Sequence, residues 1–365
     1  MEAYILPIKI AILTFPILAF LITLPFLIHQ YRKYKYVNKL RSFILYSFFF
    51  YLLVAYYLVI LPLPETRDIC SFQRENTQYY QIEPFQFVDT FLDKTTLNIY
   101  DPSTYIDALR ESVFLQAAFN AILLLPLGVY LRYYFKKGMI ETIILSFLIS
   151  LFFEITQITG LYAIYNCPYR LFDVDDLILN TFGGFIGYII APMFTFFLPK
   201  ADKLDKDVNL KELEVGFIRR TLAFMIDWGI IGGILLLIIK ILAVPKGIIL
   251  YIITVFLYFI VGVYITNGKT IGKTFLRIKI KGENDRIKFK EVLKRYGILY
   301  YGVFGTNSIL ISGFVANYNS IAGIIIGFIG VLVNVMLFIH FILHLFEKKK
   351  RLFYEKLSKT RNIID

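Results

Sequence analysis

The sequence predicts an all-α polytopic membrane protein built from two helical modules, and three observations carry that reading. Hydrophobic residues make up 58% of the 365-residue chain and charged residues only 18%, a balance too apolar for a soluble protein of this length. Apolar runs of about 20 residues, long enough to cross a bilayer core as helices, recur from one end to the other. The basic residues are also segregated: loops on alternate sides of these runs differ sharply in charge.

The spanning segments fall near 5–28, 42–62, 113–131, 140–159, 177–198, 221–243, 247–266, 297–315 and 320–345, which makes nine. If the connections alternate sides, segments 29–41, 132–141, 199–220, 267–296 and 346–365 share one face and hold 31 of the 39 Lys and Arg residues. By the positive-inside bias that face is cytoplasmic. The N-terminus is then outside and the C-terminus inside. The loop 63–112, with nine acids against four bases, is extracytoplasmic. The net charge of +12 is accounted for by topology, so no nucleic-acid partner is inferred. The start of the chain lacks a basic n-region and the first apolar run lacks a small-residue cleavage site, so that run is expected to remain as a membrane helix. Pro7, Pro16 and Pro25 predict kinks in it.

The loop 63–112 is too apolar to be a free linker. Ile82-Glu-Pro-Phe predicts a short interfacial helix after Pro84, and Asp101-Pro-Ser-Thr a turn in which Ser103 or Thr104 caps a helix through Ile106. The third span carries Asn120, Pro126 and Gly128. The fourth carries Glu154 and Gln157, which share a face at i, i+3; an ionisable residue at that depth needs a partner, and Arg170 is the expected one. Arg170, Asp173, Asp175 and Asp176 then meet the start of the fifth span, followed by Asn180. The acids suit the positive end of a helix, and Gly183 and Gly187 are spaced to admit a neighbouring helix. Three acids and an arginine within seven residues exceed what a cap needs. Asn120, Glu154, Gln157, Arg170, Asp173, Asp175, Asp176 and Asn180 are therefore expected to form one polar site facing outward.

These motifs carry a resemblance. Ile82-Glu-Pro-Phe, Asn120 with Pro126-Leu-Gly128, Glu154 with Gln157, Arg170 with Asp173-Val-Asp-Asp, and Asn180-Thr-Phe-Gly-Gly occur in the order and spacing of the VanZ-like family, over roughly residues 40–195. Glu83 stands where that family usually has an apolar residue. The family is named for a protein of teicoplanin-resistance clusters, and the resemblance implies a bacterial envelope protein.

The domains are expected at 1–198 and 214–365, joined by a charged cytoplasmic linker at 199–213 whose signs alternate. The second half opens with Arg219, Arg220 and Asp227; Arg220 and Asp227, seven residues apart, share a helix face, and because an aspartate inside a span is expensive unless paired, a basic partner is expected for Asp227. Gly268-Lys-Thr-Ile-Gly-Lys, with Gly268, Gly272 and Lys273, does not have the spacing of a phosphate-binding loop. Alternation of Ile and Lys around Gly-Glu-Asn-Asp predicts a small cytoplasmic β-hairpin near 273–290. With Arg295 and a closing Tyr354-Glu355, where His-Asp is usual, this half resembles the RDD family of bacterial membrane proteins over roughly 214–364.

Neither Cys70 nor Cys167 lies in a metal or redox motif, and His340 and His344, at i, i+4, lack a third ligand, so no metal and no cofactor is expected. Both cysteines fall in extracytoplasmic loops, where a disulfide persists. They are either bonded or two unrelated thiols, which a Cα separation below about 7 Å would decide. The leading functional expectation is a plasma-membrane protein that alters susceptibility to teicoplanin-type glycopeptides by engaging membrane lipid or a lipid-linked cell-wall component. Two rivals stand beside it. One is an intramembrane enzyme with Glu154 as acid or base and Asp173, Asp175 and Asp176 on a divalent cation. The other is a transporter using Glu154 and Asp227. Nothing in the residues sets an oligomeric state.

Overall fold

The computed structural model describes residues 2–74, 76–206, 208–210, 213–242, 248–345 and 351–365. Among them, eight helices are long and apolar enough to cross a membrane, and Ile249–Ile265 is a shorter apolar helix where a seventh span was expected. The expected boundaries at 243 and 247 lie outside the described residues, as do 207, 211 and 212 of the linker and 346–350 of the last basic run. By length and composition of these helices the protein is a multi-pass membrane protein. The chain divides into two compact units, Met1–Leu24 with Asn38–Asp207, and Pro25–Val37 with Val208–Asp365.

The first unit contains most of α1 (Glu2–Tyr34), with α2 (Lys39–Ile60), α3 (Gln86–Lys94), α4 (Ser112–Tyr133), α5 (Met139–Ile158) and α6 (Val174–Thr195). Helix α1 runs as one helix through its three prolines. Helix α4 is interrupted at Leu124, one residue before a second helical run that carries Pro126 in its first turn, where a missing N–H is tolerated.

Helix α6 is the axis of this unit because its glycines let two other helices approach. A Cβ on Gly183 would sit 2.0 Å from Ala121 O and one on Gly187 1.9 Å from Leu125 O, both in α4. One on Gly184 would sit 2.0 Å from Ser146 Oγ of α5. In a bilayer, where lipid is as apolar as leucine, such close backbone approach supplies the packing that drives association.

The loop 63–112 is stitched to the segment before α6 at several points. Cys70 and Cys167 form a disulfide with Cα atoms 5.3 Å apart. Asn166 Oδ1 accepts from Ile69 N at 2.8 Å, and strands β1 (Tyr80–Gln81) and β2 (Phe172–Asp173) pair in parallel. The expected helix after Pro84 is α3. The turn at residue 101 is capped by Asp101, whose Oδ1 accepts from Ser103 N at 3.0 Å, rather than by Ser103 or Thr104; its carboxylate reaches the first free N–H. The disulfide closes a chain loop of separation 97, worth roughly 4 to 5 kcal/mol on the chain-entropy model. Replacing both cysteines by serine is therefore expected to lower the unfolding midpoint measurably. A midpoint matching the native protein would show that the hydrogen bonds alone hold the loop.

The second unit contains α7 (Phe217–Leu242), α8 (Ile249–Ile265), the short α9 (Ile271–Phe275), α10 (Phe289–Ala316), α11 (Ile321–Leu345) and α12 (Phe353–Leu357). Its core gathers Val255, Phe259, Ile260, Val292, Tyr296 and Tyr300. Both α8 and α10 widen to π-helical turns, at Val255–Gly262 and Gly297–Gly305, and there the Phe259 and Tyr300 rings meet at 4.3 Å. The small antiparallel β-element is present, but its second strand comes from elsewhere than expected. β3 (Ile278–Lys281) pairs with β4 (Arg361–Ile364), Ile278 opposite Ile364 and Lys281 opposite Arg361. Alternation buries Ile278 and Ile280 and so identifies a strand; it carries no information on the partner. The residues after Gly-Glu-Asn-Asp turn into α10, whose first turn is closed by Glu291 Oε2 accepting from Lys288 N at 2.8 Å.

Candidate functional site

Six of the eight polar residues singled out in the first half line one cavity of about 550 Å³ bounded by α2, α4, α5 and α6: Asn120, Glu154, Gln157, Arg170, Asp176 and Asn180. Most of the remaining lining is apolar, among it Val54, Leu58, Phe119 and Leu123, with Ser112 and Gln116 as further polar residues. Glu154 is 2% exposed, and its Oε2 accepts from Asp173 N at 3.0 Å. Gln157 Nε2 donates to Val59 O at 2.8 Å, fixing the end of α2. Asn120 Nδ2 donates to Asp176 Oδ1. Asn180 Nδ2 donates to Ser150 Oγ at 3.0 Å, while its Oδ1, fully buried, accepts nothing among the described residues. A buried amide oxygen without a donor is a costly arrangement unless a ligand or water supplies one.

The expected Glu154–Arg170 ion pair is not formed. Arg170 is exposed at the cavity mouth and donates to Leu61 O at 3.0 Å, because a carbonyl at the end of α2 lies closer to it than the carboxylate buried beneath. Asp173 and Asp175 do not line the cavity either. Asp173 caps α6, its Oδ1 accepting from Asp175 N at 2.9 Å, and burial pushes it above the ordinary carboxylate value against the lowering effect of that bond. Asp175, 3% exposed, accepts from Phe85 N at 2.5 Å and Phe87 N at 2.9 Å. It thus caps the start of α3 from about 90 residues away in the chain, where Phe85 takes a left-handed conformation with φ of 67°. The three acids diverge, and no group of three His, Cys, Asp or Glu side chains converges among the described residues. The proposed carboxylate cation site is not assembled by them.

The Asp175 geometry has a local consequence. Removing this acceptor leaves two N–H groups at a helix start unsatisfied, a loss of about 1.5 to 3 kcal/mol for a charged acceptor. Asp175→Ala is expected to raise amide hydrogen exchange across Gln86–Lys94 while leaving exchange in the second unit unchanged. Unaltered protection of α3 would contradict that role.

In the second unit the singled-out residues build a buried polar cluster. Glu355, fully buried, accepts from Arg220 Nη1 at 2.9 Å, Arg295 Nη2 at 2.7 Å and Asn362 Nδ2 at 2.6 Å. Burial alone would raise its pKa, but Arg295 and Arg220 outweigh it and hold the carboxyl below its ordinary value. Asp227, 1% exposed, accepts from Thr270 Oγ1 at 2.6 Å, Gly272 N at 2.7 Å and Tyr258 Oη at 2.7 Å. The basic partner expected for Asp227 is therefore absent from its hydrogen bonds, because the first turn of α9 supplies donors directly and Arg220 is committed to Glu355.

Gly272 is required at that turn, since a Cβ would sit 2.1 Å from Ala223 O. Gly268 sits at φ of 95° against Ile280 O. Arg219, 2% exposed, donates to the carbonyls of Leu276, Arg277 and Lys35, which closes the end of α9. Lys273 Nζ lies 3.2 Å from Tyr296 Oη, and burial pushes its pKa down to about 8 despite the opposing pull of Asp227. The His340 and His344 rings lie 4.1 Å apart, and His340 Nε2 accepts from Phe353 N at 3.2 Å, a packing role.

Both halves find matches among protein families. A family model described as VanZ/LLP1 matches residues 48–196, and one described as the RDD family matches residues 215–359. The chain is a VanZ-like domain fused to an RDD-family domain. No curated protein and no solved structure matches it. The cavity belongs wholly to the VanZ-like domain and the Glu355 cluster to the RDD domain. In the VanZ-like domain, sequence reasoning passed over Ser146 and Ser150, both fully buried beneath α6. The signal was available: Thr142, Ser146, Ser150 and Glu154 recur every four residues, a polar stripe on an otherwise apolar span. In the RDD domain it passed over Thr270, Tyr258, Thr360 and Asn362, whose roles depend on contacts between distant segments.

Proposed function

We propose that the VanZ-like domain holds the head of a membrane lipid or lipid-linked cell-wall component, and thereby alters the exposure of the envelope to teicoplanin-type glycopeptides. The observation that carries this reading is the cavity: apolar walls of spanning helices end in Asn120, Glu154, Asp176 and Asn180, with Arg170 at the mouth and the Asn180 amide oxygen unpaired among the described residues. An amphiphile matches both halves of such a lining, its chain on the apolar wall and its head on the polar end. Acceptors outnumber cations there, which favours a head rich in hydroxyl or amino donors. The charge asymmetry of the loops supports an outward-facing mouth, with the N-terminus outside and the C-terminus cytoplasmic, and the Cys70–Cys167 bond supports the same side for the outer loop.

The enzyme and transporter readings gain no specific support, since the acids diverge and Asp227 closes a helix start. The test is susceptibility to teicoplanin in cells carrying the native chain or Asn180→Leu at matched abundance. The expected result is loss of any protective effect with Asn180→Leu. Equal protection by both would remove the cavity from the function.

A further inference from the structure

The second unit carries another cavity, lined by α1 as well as by the RDD domain, and its chemistry is the opposite of the one just described. A space of about 630 Å³ is lined by Arg32, Lys269 and Arg277, by Thr266, Thr270 and Thr274, and by Tyr258, Gly262, Ile271 and Phe275 as its more apolar wall. Arg32 lies with its guanidinium carbon 4.4 Å from the Phe275 ring centre, a cation–π contact that restricts where the side chain can go. Among the described residues neither Arg32 nor Arg277 forms an ion pair. The acid that meets Lys269, Asp365, is shared: Lys269 Nζ is 2.6 Å and Lys279 Nζ 3.3 Å from its carboxylate. Three cations thus line the cavity, and the one carboxylate that meets any of them among the described residues is shared with Lys279 outside it. The wall beneath them belongs in part to α8, an apolar helix, and Ile271 beside it is 50% exposed.

We propose that this pocket binds the phosphate of an anionic phospholipid, its acyl chains lying along Tyr258, Gly262 and Ile271. A planar guanidinium recognises phosphate through two parallel N–H bonds, and two of them with a lysine fix the anion at the depth where the lining turns from charged to apolar. A zwitterionic headgroup would bring its ammonium against the same cations, so the pocket selects net negative charge. The site differs from a general basic surface in being built: an arginine held over an aromatic ring, a concave wall, and unneutralised charge inside it. The segment 267–296 carries further bases outside the pocket, Lys290 and Lys294 among them, which provide a control of equal charge.

The experiment uses the full chain purified in a neutral detergent and titrated with dioctanoyl phosphatidylglycerol, dioctanoyl phosphatidylcholine and inorganic phosphate, with binding read by intrinsic fluorescence. The native protein is expected to prefer phosphatidylglycerol and to ignore inorganic phosphate at equal concentration. Arg32→Gln with Arg277→Gln should weaken phosphatidylglycerol binding about 30-fold, on the basis of about 1 kcal/mol per base, whereas Lys290→Gln with Lys294→Gln should change it less than about twofold. If the first pair fails to fold, Arg277→Gln alone should cost about fivefold. Its side chain makes no hydrogen bond among the described residues. Equal weakening by the two double variants would reduce the effect to diffuse charge and overturn the proposal. So would equal affinity for the two lipids, binding of inorganic phosphate as tight as that of phosphatidylglycerol, or unchanged binding by Arg277→Gln.

Discussion

Glu355→Ala is expected to abolish stable folding of the RDD domain. The substitution leaves Arg220 and Arg295 without the carboxylate that neutralises both, in a place where Glu355 itself is fully buried. Removing one partner of a buried ion pair costs about 3 to 5 kcal/mol, and here two cations lose the same partner. That is comparable to the whole stability of many domains. Glu355→Asp keeps the charge on a shorter side chain and should retain part of the stability. The linkage to pH follows from the direction of the shift. Because the folded pKa lies below the ordinary value of 4.5, the stabilisation is fully present above about pH 4.5 and is lost as pH falls through the lowered folded value. Unfolding midpoints of native, Ala and Asp proteins in detergent check the first claim, and their convergence on acidification checks the second. An alanine variant as stable as the native protein would contradict the cluster's role.

The second large effect is expected where α6 meets α4. Gly183→Ala with Gly187→Ala places two methyl groups within 2.0 Å and 1.9 Å of the Ala121 and Leu125 carbonyl oxygens. The obstacle is backbone on the facing helix, so no rotamer change relieves it and the helices must separate. Overpacking costs about 1 to 3 kcal/mol per site, more when backbone must move. Separation would also draw Asn120 away from Asp176, opening the polar end of the cavity. Gly232→Ala is the contrasting case, since a Cβ there meets nothing within 4 Å, and its effect should stay within about 0.5 kcal/mol. Unfolding midpoints of the two variants should differ widely; similar values would show that the glycine seam is not the packing axis.

The class of the protein was legible because bilayer thickness imposes run lengths and charge asymmetry that no other constraint mimics. The cavity was legible in part. Asn120, Glu154, Asp176 and Asn180 stood out as polar residues inside apolar spans, and the burial they need is what brings them together. Arg170 was misjudged because charge complementarity to Glu154 ignored the carbonyl of Leu61, and a backbone acceptor leaves no trace in side-chain identities. Asp175 is the same lesson reversed: its donors are the N–H groups of Phe85 and Phe87, which any residue would carry. The pairing of β3 with β4 was hidden for a third reason. Alternation at 278–281 reports burial of one face, while the partner is fixed by how α10, α11 and α12 return the chain to it. Gly268 and Gly272 were legible as a motif, yet their purpose, a turn against Ile280 and a helix start against Ala223, depends on backbone approaches between segments that only the fold brings together.

The central claim is that the polar end of the VanZ-like cavity retains a lipid. It is tested most directly by identifying, with mass spectrometry, the lipids that stay with the purified chain and with a variant carrying Asn120→Leu and Asp176→Leu. Those two side chains bond each other, so replacing both leaves neither unpaired and the fold is expected to survive. The native protein should carry one lipid class enriched over its proportion in the source membrane, and the variant should lose that enrichment while keeping its unfolding midpoint. Identical lipid profiles in the two proteins, both matching the source membrane, would contradict the account.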